Sequence, residues 1–161
     1  MDYAEFLRWA HVIGACVLLG TGAGIAFFMV VAHRTRDAAL VAHVSGTVVV
    51  ADTLFTASAA LAQPVTGYLL SRETGWDLTE PWLLLSIGLY VFVGVFWLPV
   101  TWMQARMRRL AVEAAALAAP LPAAYHRLYR TWFAFGFPAF AAMLVIVWLM
   151  TARPSLGWPA F

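Results

Sequence analysis

The most distinctive residue of this chain is His11, a histidine inside the first long apolar stretch. Imidazole nitrogens are common axial ligands of haem iron, and a methionine thioether is a known second ligand. His11 and Met150 are therefore the predicted cofactor-binding residues, with haem b as the predicted cofactor. The alternative is structural: His11 hydrogen-bonds to Gln63, to Ser86 or to a backbone carbonyl and holds helices together.

A second group of polar residues begins at Asp52, within another apolar stretch. At about 100° per residue, Thr56, Gln63 and Thr66 fall within about 40° of Asp52 on a helix. An ionised side chain that faces lipid is unfavourable by roughly 2.5–3.5 kcal/mol or more, so this stripe is predicted to face the protein interior. Intramembrane carboxylates are commonly proton or cation sites, which is one function to consider for Asp52.

The rise of about 1.5 Å per residue sorts these polar residues into two layers. One layer holds His11, Gln63 and Ser86. The other holds Asp52 and Thr56, with the Tyr90 hydroxyl or the Trp97 indole as candidate donors. Pro64 lacks an N–H and is predicted to free a backbone carbonyl nearby. The predicted buried polar core is therefore built by the following residues: Asp52, Thr56, Gln63, Ser86 and Tyr90.

The elements that must position these residues are four long apolar runs. The chain has 161 residues, of which 63% are hydrophobic and 11% charged, and its mean hydropathy is +0.81. A span needs about 20 apolar residues to cross a hydrocarbon core of about 30 Å. Residues 6–32, 44–70, 82–103 and 132–150 meet this requirement. The sequence therefore predicts an all-α, polytopic membrane protein, a single domain (residues 1–161) built as a bundle of four transmembrane helices.

The arginines predict its orientation. All ten basic residues are Arg, and seven of them lie in the connections after the first and third runs. Such residues favour the cytoplasmic side, which predicts an inner-membrane protein with both termini outside. Arg153 in the tail is a contrary signal. This distribution explains the net charge of +2 without a nucleic-acid partner.

The longest connection, residues 104–131, is predicted to be cytoplasmic. Its first part is rich in helix formers and should extend the third helix, until Pro120 and Pro122 end it. The basic and aromatic segment that follows suits either the membrane interface or a cytoplasmic partner. His126 is predicted at the surface, and a second metal or haem site between His33 and His43 is the less favoured option.

Small residues on the first helix suggest a contact surface. Gly20 and Gly24 lie four residues apart, a spacing that lets two helix backbones approach closely. They lie on the opposite side of the helix from His11. This surface predicts packing within the bundle, a homo-oligomer or a partner membrane subunit.

Several motifs resemble those of the domain of unknown function 2269 family, described as predicted integral membrane proteins. They are HVIG in the first helix, ADTLFT and QPVTG in the second, and WLPVTW in the third. Thr53 stands where the family pattern leads one to expect Trp. The stretch around His11 is also distantly similar to the copper-resistance D-like and membrane protoporphyrinogen oxidase families, the latter being haem-associated. This second resemblance concerns His11 alone and implies no activity.

Three functions are compatible with these residues. The favoured hypothesis is a haem b- or metal-binding redox-type membrane protein that uses His11. The second is a small proton, ion or solute transporter or channel lined by Asp52, Thr56 and Gln63. The third is a structural subunit of a membrane complex. The sequence has no nucleophile elbow, phosphate-binding glycine loop or Cys/His zinc spacing, and it predicts no separate metal-ion site.

Overall fold

A computed structural model describes residues 1–157, and these residues form helices and no strands. α1 spans Tyr3–Thr35, and α2 (Ala38–Ala51) continues through a π-helical turn, Asp52–Thr56, into α3 (Ala57–Thr74). α4 spans Pro81–Ala116 and α5 spans Ala123–Ala152. With α2, the π turn and α3 counted as one rod, the chain makes four helical rods, each long and apolar enough to cross a membrane. The predicted four-helix architecture is confirmed.

Polar caps define the first helix and its connection to the second. The Asp2 carboxylate accepts from the backbone N–H of Glu5, whose side chain in turn accepts from the Asp2 N–H. This reciprocal pair satisfies two N–H groups that have no partner within the helix. At the other end, Arg36 adopts a left-handed conformation, and Asp37 caps α2. Only Arg36 and Asp37 therefore separate α1 from α2.

The helices extend beyond the predicted spans, most of all at residues 104–131. α4 runs to Ala116, as the helix formers after residue 103 predict, and α5 already begins at Ala123. The predicted long connection is thus a turn of six residues, 117–122. We call the end of the bundle with turns 36–37 and 117–122 the lower end. The opposite end, with turn 75–80, is the upper end.

The apolar core is concentrated in the lower half. α4 packs most extensively against α5 and α2, while α1 packs against α3 and α2. The core side chains share nearly complete burial and come from α1, α2, α4, α5 and turn 117–122; they include Met29, Val41, Met107, Ala111 and Tyr125. In the upper half, α3 and α4 pack little against each other.

Large apolar side chains cover much of the outer surface, as expected for a protein surrounded by lipid. Leu61 is 74% exposed, Leu98 65% and Phe137 63%. Soluble proteins rarely expose contiguous apolar surface on this scale. At the upper end the guanidinium of Arg153 lies over the rings of Trp76 and Trp82, at 5.1 and 5.8 Å from their centroids. This arrangement accommodates Arg153, one of three arginines near the upper end together with Arg8 and Arg72.

Candidate functional site

His11 is held between two residues of α3 in the upper half. Its Nδ1 lies 2.9 Å from the Thr66 hydroxyl oxygen. The Gln63 amide donates to the backbone carbonyl of His11 at 2.7 Å. The HVIG and QPVTG segments therefore contact each other directly, although they are about fifty residues apart in the chain.

Two glycines permit this close approach of α1 and α3. A Cβ added to Gly67 would lie 3.1 Å from Cε1 of His11. A Cβ added to Gly14 would lie 2.5 Å from the Gln63 amide nitrogen. Each glycine thus provides the space for a polar side chain of the opposite helix, which explains why both segments contain one.

The predicted partners of His11 were partly wrong. Ser86 is fully buried, as expected, but its hydroxyl donates to the Trp82 carbonyl of its own helix. The ring of His11 is hydrogen-bonded to Thr66 instead. Thr66 belongs to the predicted polar stripe, but the sequence did not identify it as a partner of His11. Met150 is half-buried near the upper end of α5, and α5 has only limited contact with α1. Its role as an iron ligand stays a prediction.

Asp52 forms a second polar layer, nearer the centre of the bundle. It is 6% exposed and begins the π-helical turn. The Trp97 indole N–H donates to one carboxylate oxygen at 3.3 Å. With the Gln104 amide oriented so that both of its ends are satisfied, its nitrogen donates to the other oxygen at 3.3 Å and its oxygen accepts from the Trp132 indole at 3.2 Å. Asp52 is therefore bonded to α4 through both oxygens, and Gln104 extends the network to Trp132 of α5.

The hydroxyl of Thr56 lies at the end of the same π-helical turn. Among residues 1–157, Thr56 Oγ1 is the only enclosed side-chain polar atom without a hydrogen-bond partner. π-helical turns are rare and occur frequently at functional sites. The turn therefore carries a buried carboxylate and, beside it, an enclosed hydroxyl that can donate to it.

Tyr90 and Trp97 were the two predicted hydrogen-bond donors to Asp52. The prediction for Tyr90 is wrong. The Tyr90 hydroxyl donates instead to the Ala60 carbonyl on α3 at 2.6 Å. Because Pro64 has no N–H, the carbonyl four residues earlier loses its helical partner. The prediction that Pro64 frees a backbone carbonyl is therefore confirmed for Ala60. Tyr90 of α4 donates to this carbonyl across the sparsely packed interface between α3 and α4.

Gln104 and Trp132 are the residues of the Asp52 layer that the sequence prediction missed. Each lies at a predicted boundary: Gln104 is the first residue after the third run, and Trp132 begins the fourth. Gln104 is 2% exposed and Trp132 5%. The helix periodicity, extended one turn past the apolar run, would have placed Gln104 on the same side of α4 as Trp97, because they are seven residues apart.

His126, predicted at the surface, is partly exposed but belongs to a helix rather than to a long connection. His126 lies in the first turns of α5, half-buried, and its ring meets that of His33 edge-on with centroids 5.6 Å apart. His33 also stacks on Tyr129 with centroids 3.6 Å apart. His43 is exposed, and the aromatic rings that contact His33 belong to Tyr125, His126 and Tyr129.

Comparison with known proteins places the chain within one family. The family profile described as "Predicted integral membrane protein (DUF2269)" matches residues 5–154. Searches of curated proteins and of solved structures found no match. The more distant resemblance to the copper-resistance D-like and protoporphyrinogen oxidase families receives no support from these comparisons.

Proposed function

The chain belongs to the DUF2269 family of predicted integral membrane proteins, and we propose that it is a haem b-binding, redox-type membrane protein that holds the iron through Nε2 of His11. The observation that carries this proposal is the hydrogen bond at the other ring nitrogen. The Thr66 hydroxyl donates its only proton to the Ala62 carbonyl at 2.8 Å. With its proton so directed, the hydroxyl oxygen is the acceptor and Nδ1 of His11 the donor in the contact between them.

This bond determines which nitrogen of His11 is free. A neutral imidazole with its proton on Nδ1 carries its lone pair on Nε2. Histidines that bind metals almost always donate their other N–H to an oxygen in this way, which fixes the ring and raises its basicity. Within residues 1–157, Nε2 of His11 has no hydrogen-bond partner of its own. The ring is thus oriented and protonated as an axial ligand requires.

The surrounding residues favour haem over a bare metal ion. No group of three or more His, Cys, Asp or Glu side chains that could hold an ion occurs within residues 1–157. A haem iron requires only one or two protein ligands, because the porphyrin supplies four. When bound, haem would supply one-electron chemistry. Met150 is the proposed second ligand, and a five-coordinate iron is the alternative.

The visible spectrum of the purified full-length protein in detergent tests this proposal. We expect a Soret band that shifts on reduction and is lost in His11→Ala. His43→Ala, which changes an exposed histidine, should leave the band unchanged. Thr66→Val keeps the imidazole but removes its acceptor, and loss of such a partner typically weakens binding about 10–100-fold. A colourless protein after haem reconstitution, or a band that survives His11→Ala, would refute the proposal.

Asp52 supports a second candidate function, the handling of protons or cations. The supporting observation is the π-helical turn that presents a buried carboxylate beside the unpaired Thr56 hydroxyl. Ion or proton flux into liposomes that contain the purified protein is the direct measurement. Flux that falls in Asp52→Asn would support this function, and flux that is equal in both proteins would exclude Asp52 as the carrier.

A third candidate, a non-catalytic subunit or homo-oligomer, would use the surface around Gly20 and Gly24. A Cβ added to either glycine would meet nothing within 4 Å, so this surface is not packed inside the chain. The one cysteine, Cys16, is exposed one turn earlier and provides a natural probe. Oxidative cross-linking of the protein in membranes should give a Cys16-dependent dimer that Gly20→Leu/Gly24→Leu abolishes. Absence of the dimer in the wild-type protein would count against self-association through this surface.

The proposed location is the inner membrane, with the lower end of the bundle in the cytoplasm and both termini outside. The support is the concentration of arginines at the lower end, including Arg34, Arg36, Arg108 and Arg109. Reporter fusions at the C-terminus, one active only outside the cytoplasm and one only inside, test this orientation. Activity of the cytoplasmic reporter alone would reverse it.

A further inference from the structure

A pocket at the lower end has a composition unlike the rest of the bundle. Its volume is about 510 Å³, and it lies between the end of α1 and the turn that precedes α5. Four of its lining residues carry basic side chains, and the remaining two are Pro120 and Leu121; the basic ones are His33, Arg34, Arg36 and His126. No carboxylate lines it.

The charge of this pocket is not neutralised by the acid nearest in sequence. Asp37 follows Arg36 directly, but its carboxylate accepts the backbone N–H groups of Ala39 and Leu40, at 2.8 and 3.2 Å. It therefore serves as the cap of α2. The two guanidinium groups remain exposed, and their planar arrangement of donors matches the oxygens of a phosphate.

The imidazole of His33 is held in a fixed position within the pocket. One face of its ring stacks on Tyr129 at 3.6 Å between centroids, with the two planes 7° apart. Its Nδ1 lies 3.4 Å from the hydroxyl of Tyr125, a residue with no exposed surface. When Nδ1 accepts from the Tyr125 hydroxyl, the ring proton is on Nε2, which can then donate to a ligand. A surface histidine without a ligand does not require this support.

The backbone at Arg36 points to the same conclusion. Arg36 has φ of +58°, the left-handed conformation that usually falls to glycine at the end of a helix. A residue with a side chain is strained there, by an amount on the order of 1 kcal/mol. Ala118 and Arg153 also have positive φ, and at Arg36 this conformation places the side chain at the rim of the pocket. If Arg36 served only to keep the lower end in the cytoplasm, its positive charge would be sufficient, and an arginine at any neighbouring exposed position could supply that charge.

We propose that this pocket is a binding site for a phosphate group, held by Arg34 and Arg36 with His33 and His126 as additional donors. Its place at the lower end of the bundle makes it accessible to the phosphate of a lipid headgroup and to phosphate from solution. Both sources present the same tetrahedral anion, so the residues that recognise it are the same.

The test compares two pairs of arginines at the lower end. Arg34→Gln/Arg36→Gln removes two charges from the pocket. The control, Arg108→Gln/Arg109→Gln, removes two exposed charges from a neighbouring depression that also contains Glu113. Delipidated full-length protein in detergent is titrated with inorganic phosphate by equilibrium dialysis. In a second arm, native mass spectrometry measures retention of phosphatidic acid, with phosphatidylcholine as the reference lipid.

We expect the pocket variant to bind the phosphate-bearing probe at least about tenfold more weakly than the wild type, and the control variant to change binding less than about threefold. Retention of phosphatidic acid that millimolar phosphate does not displace identifies a lipid as the source. Saturable binding of inorganic phosphate without retained phosphatidic acid identifies a soluble one. Equal losses in the two variants, or no binding of either probe by the wild type, would overturn the proposal.

Discussion

The lower and upper halves of the bundle are held together by different interactions. The lower half has a continuous apolar core that includes Met29, Met107 and Tyr125, none of which is exposed. The upper half relies on individual contacts between helices: His11 with Thr66, and Tyr90 with the Ala60 carbonyl. Asp52 lies where the two regions meet.

The membrane explains this difference. Lipid tails are as apolar as leucine, so apolar side chains gain little by association inside the bilayer, and helices there rely on close packing and hydrogen bonds. The lower part of α4, with Met107 and Ala111, continues past the apolar run that ends at residue 103. There, burial removes apolar surface from water and gains the hydrophobic effect. The part of the core that continues past the apolar runs can therefore use the hydrophobic effect, whereas the upper half relies on hydrogen bonds between helices.

The largest expected effect is a truncation in the lower core. Met107→Ala should lower the free energy of unfolding by about 2–5 kcal/mol, because it leaves a cavity at a fully buried position. Leu61→Ala, at a side chain 74% exposed in the upper half, should change it by about 0.5 kcal/mol or less. Unfolding by sodium dodecyl sulfate in mixed micelles, followed by circular dichroism, measures both. Equal losses would remove the distinction between the halves.

An intermediate effect is expected where the halves meet. Asp52→Ala leaves the N–H groups of Trp97 and Gln104 without their acceptor and should lower the free energy of unfolding by about 1–2 kcal/mol, at about 0.6 kcal/mol for each of two bonds in a membrane. Asp52→Asn keeps one carbonyl oxygen and should lose roughly half as much. The same unfolding assay, together with the fluorescence of the tryptophans, gives the comparison. An alanine variant as stable as the wild type would show that the bundle does not depend on this polar layer.

The smallest effect is expected for a single hydrogen bond in the upper half. Tyr90→Phe should lower stability by about 0.6 kcal/mol, the average for such bonds in membranes. In a Pro64→Ala background the restored backbone N–H at position 64 can pair with the Ala60 carbonyl, so Tyr90→Phe should then have almost no effect. A double-mutant cycle measures this coupling. Additive losses would mean that Pro64 is not the reason why the carbonyl needs Tyr90.

The sequence predicted the four helices and most of the polar stripe. Apolar runs of sufficient length identify spans because every backbone polar group inside lipid needs an internal partner. The burial of Asp52 and Gln63 follows from a periodicity of 3.6 residues, which the structure retains on both sides of the π turn.

The details that were missed have physical causes of three kinds. A hydropathy criterion ends a predicted span where charged residues begin. It therefore assigned Gln104 and His126 to a connection, although both belong to helices that continue past the apolar runs. Fixed periodicity assumes an unbroken α-helix and cannot reveal the π turn at Asp52–Thr56. Competition also matters: Tyr90 had two possible acceptors, and the carbonyl freed by Pro64 takes its hydroxyl.

The two-residue connection between α1 and α2 fixes where these helices can separate. Arg36 and Asp37 are the whole link, so α1 and α2 are joined covalently at the lower end. Any change in the angle between them displaces the upper ends most. His11 lies 25 residues from Arg36, a lever of about 37 Å at 1.5 Å per residue. An angular change of only a few degrees between α1 and α2 would shift the imidazole by ångströms, so the hydrogen bonds of His11 with Thr66 and Gln63 are what fixes the separation of the upper ends.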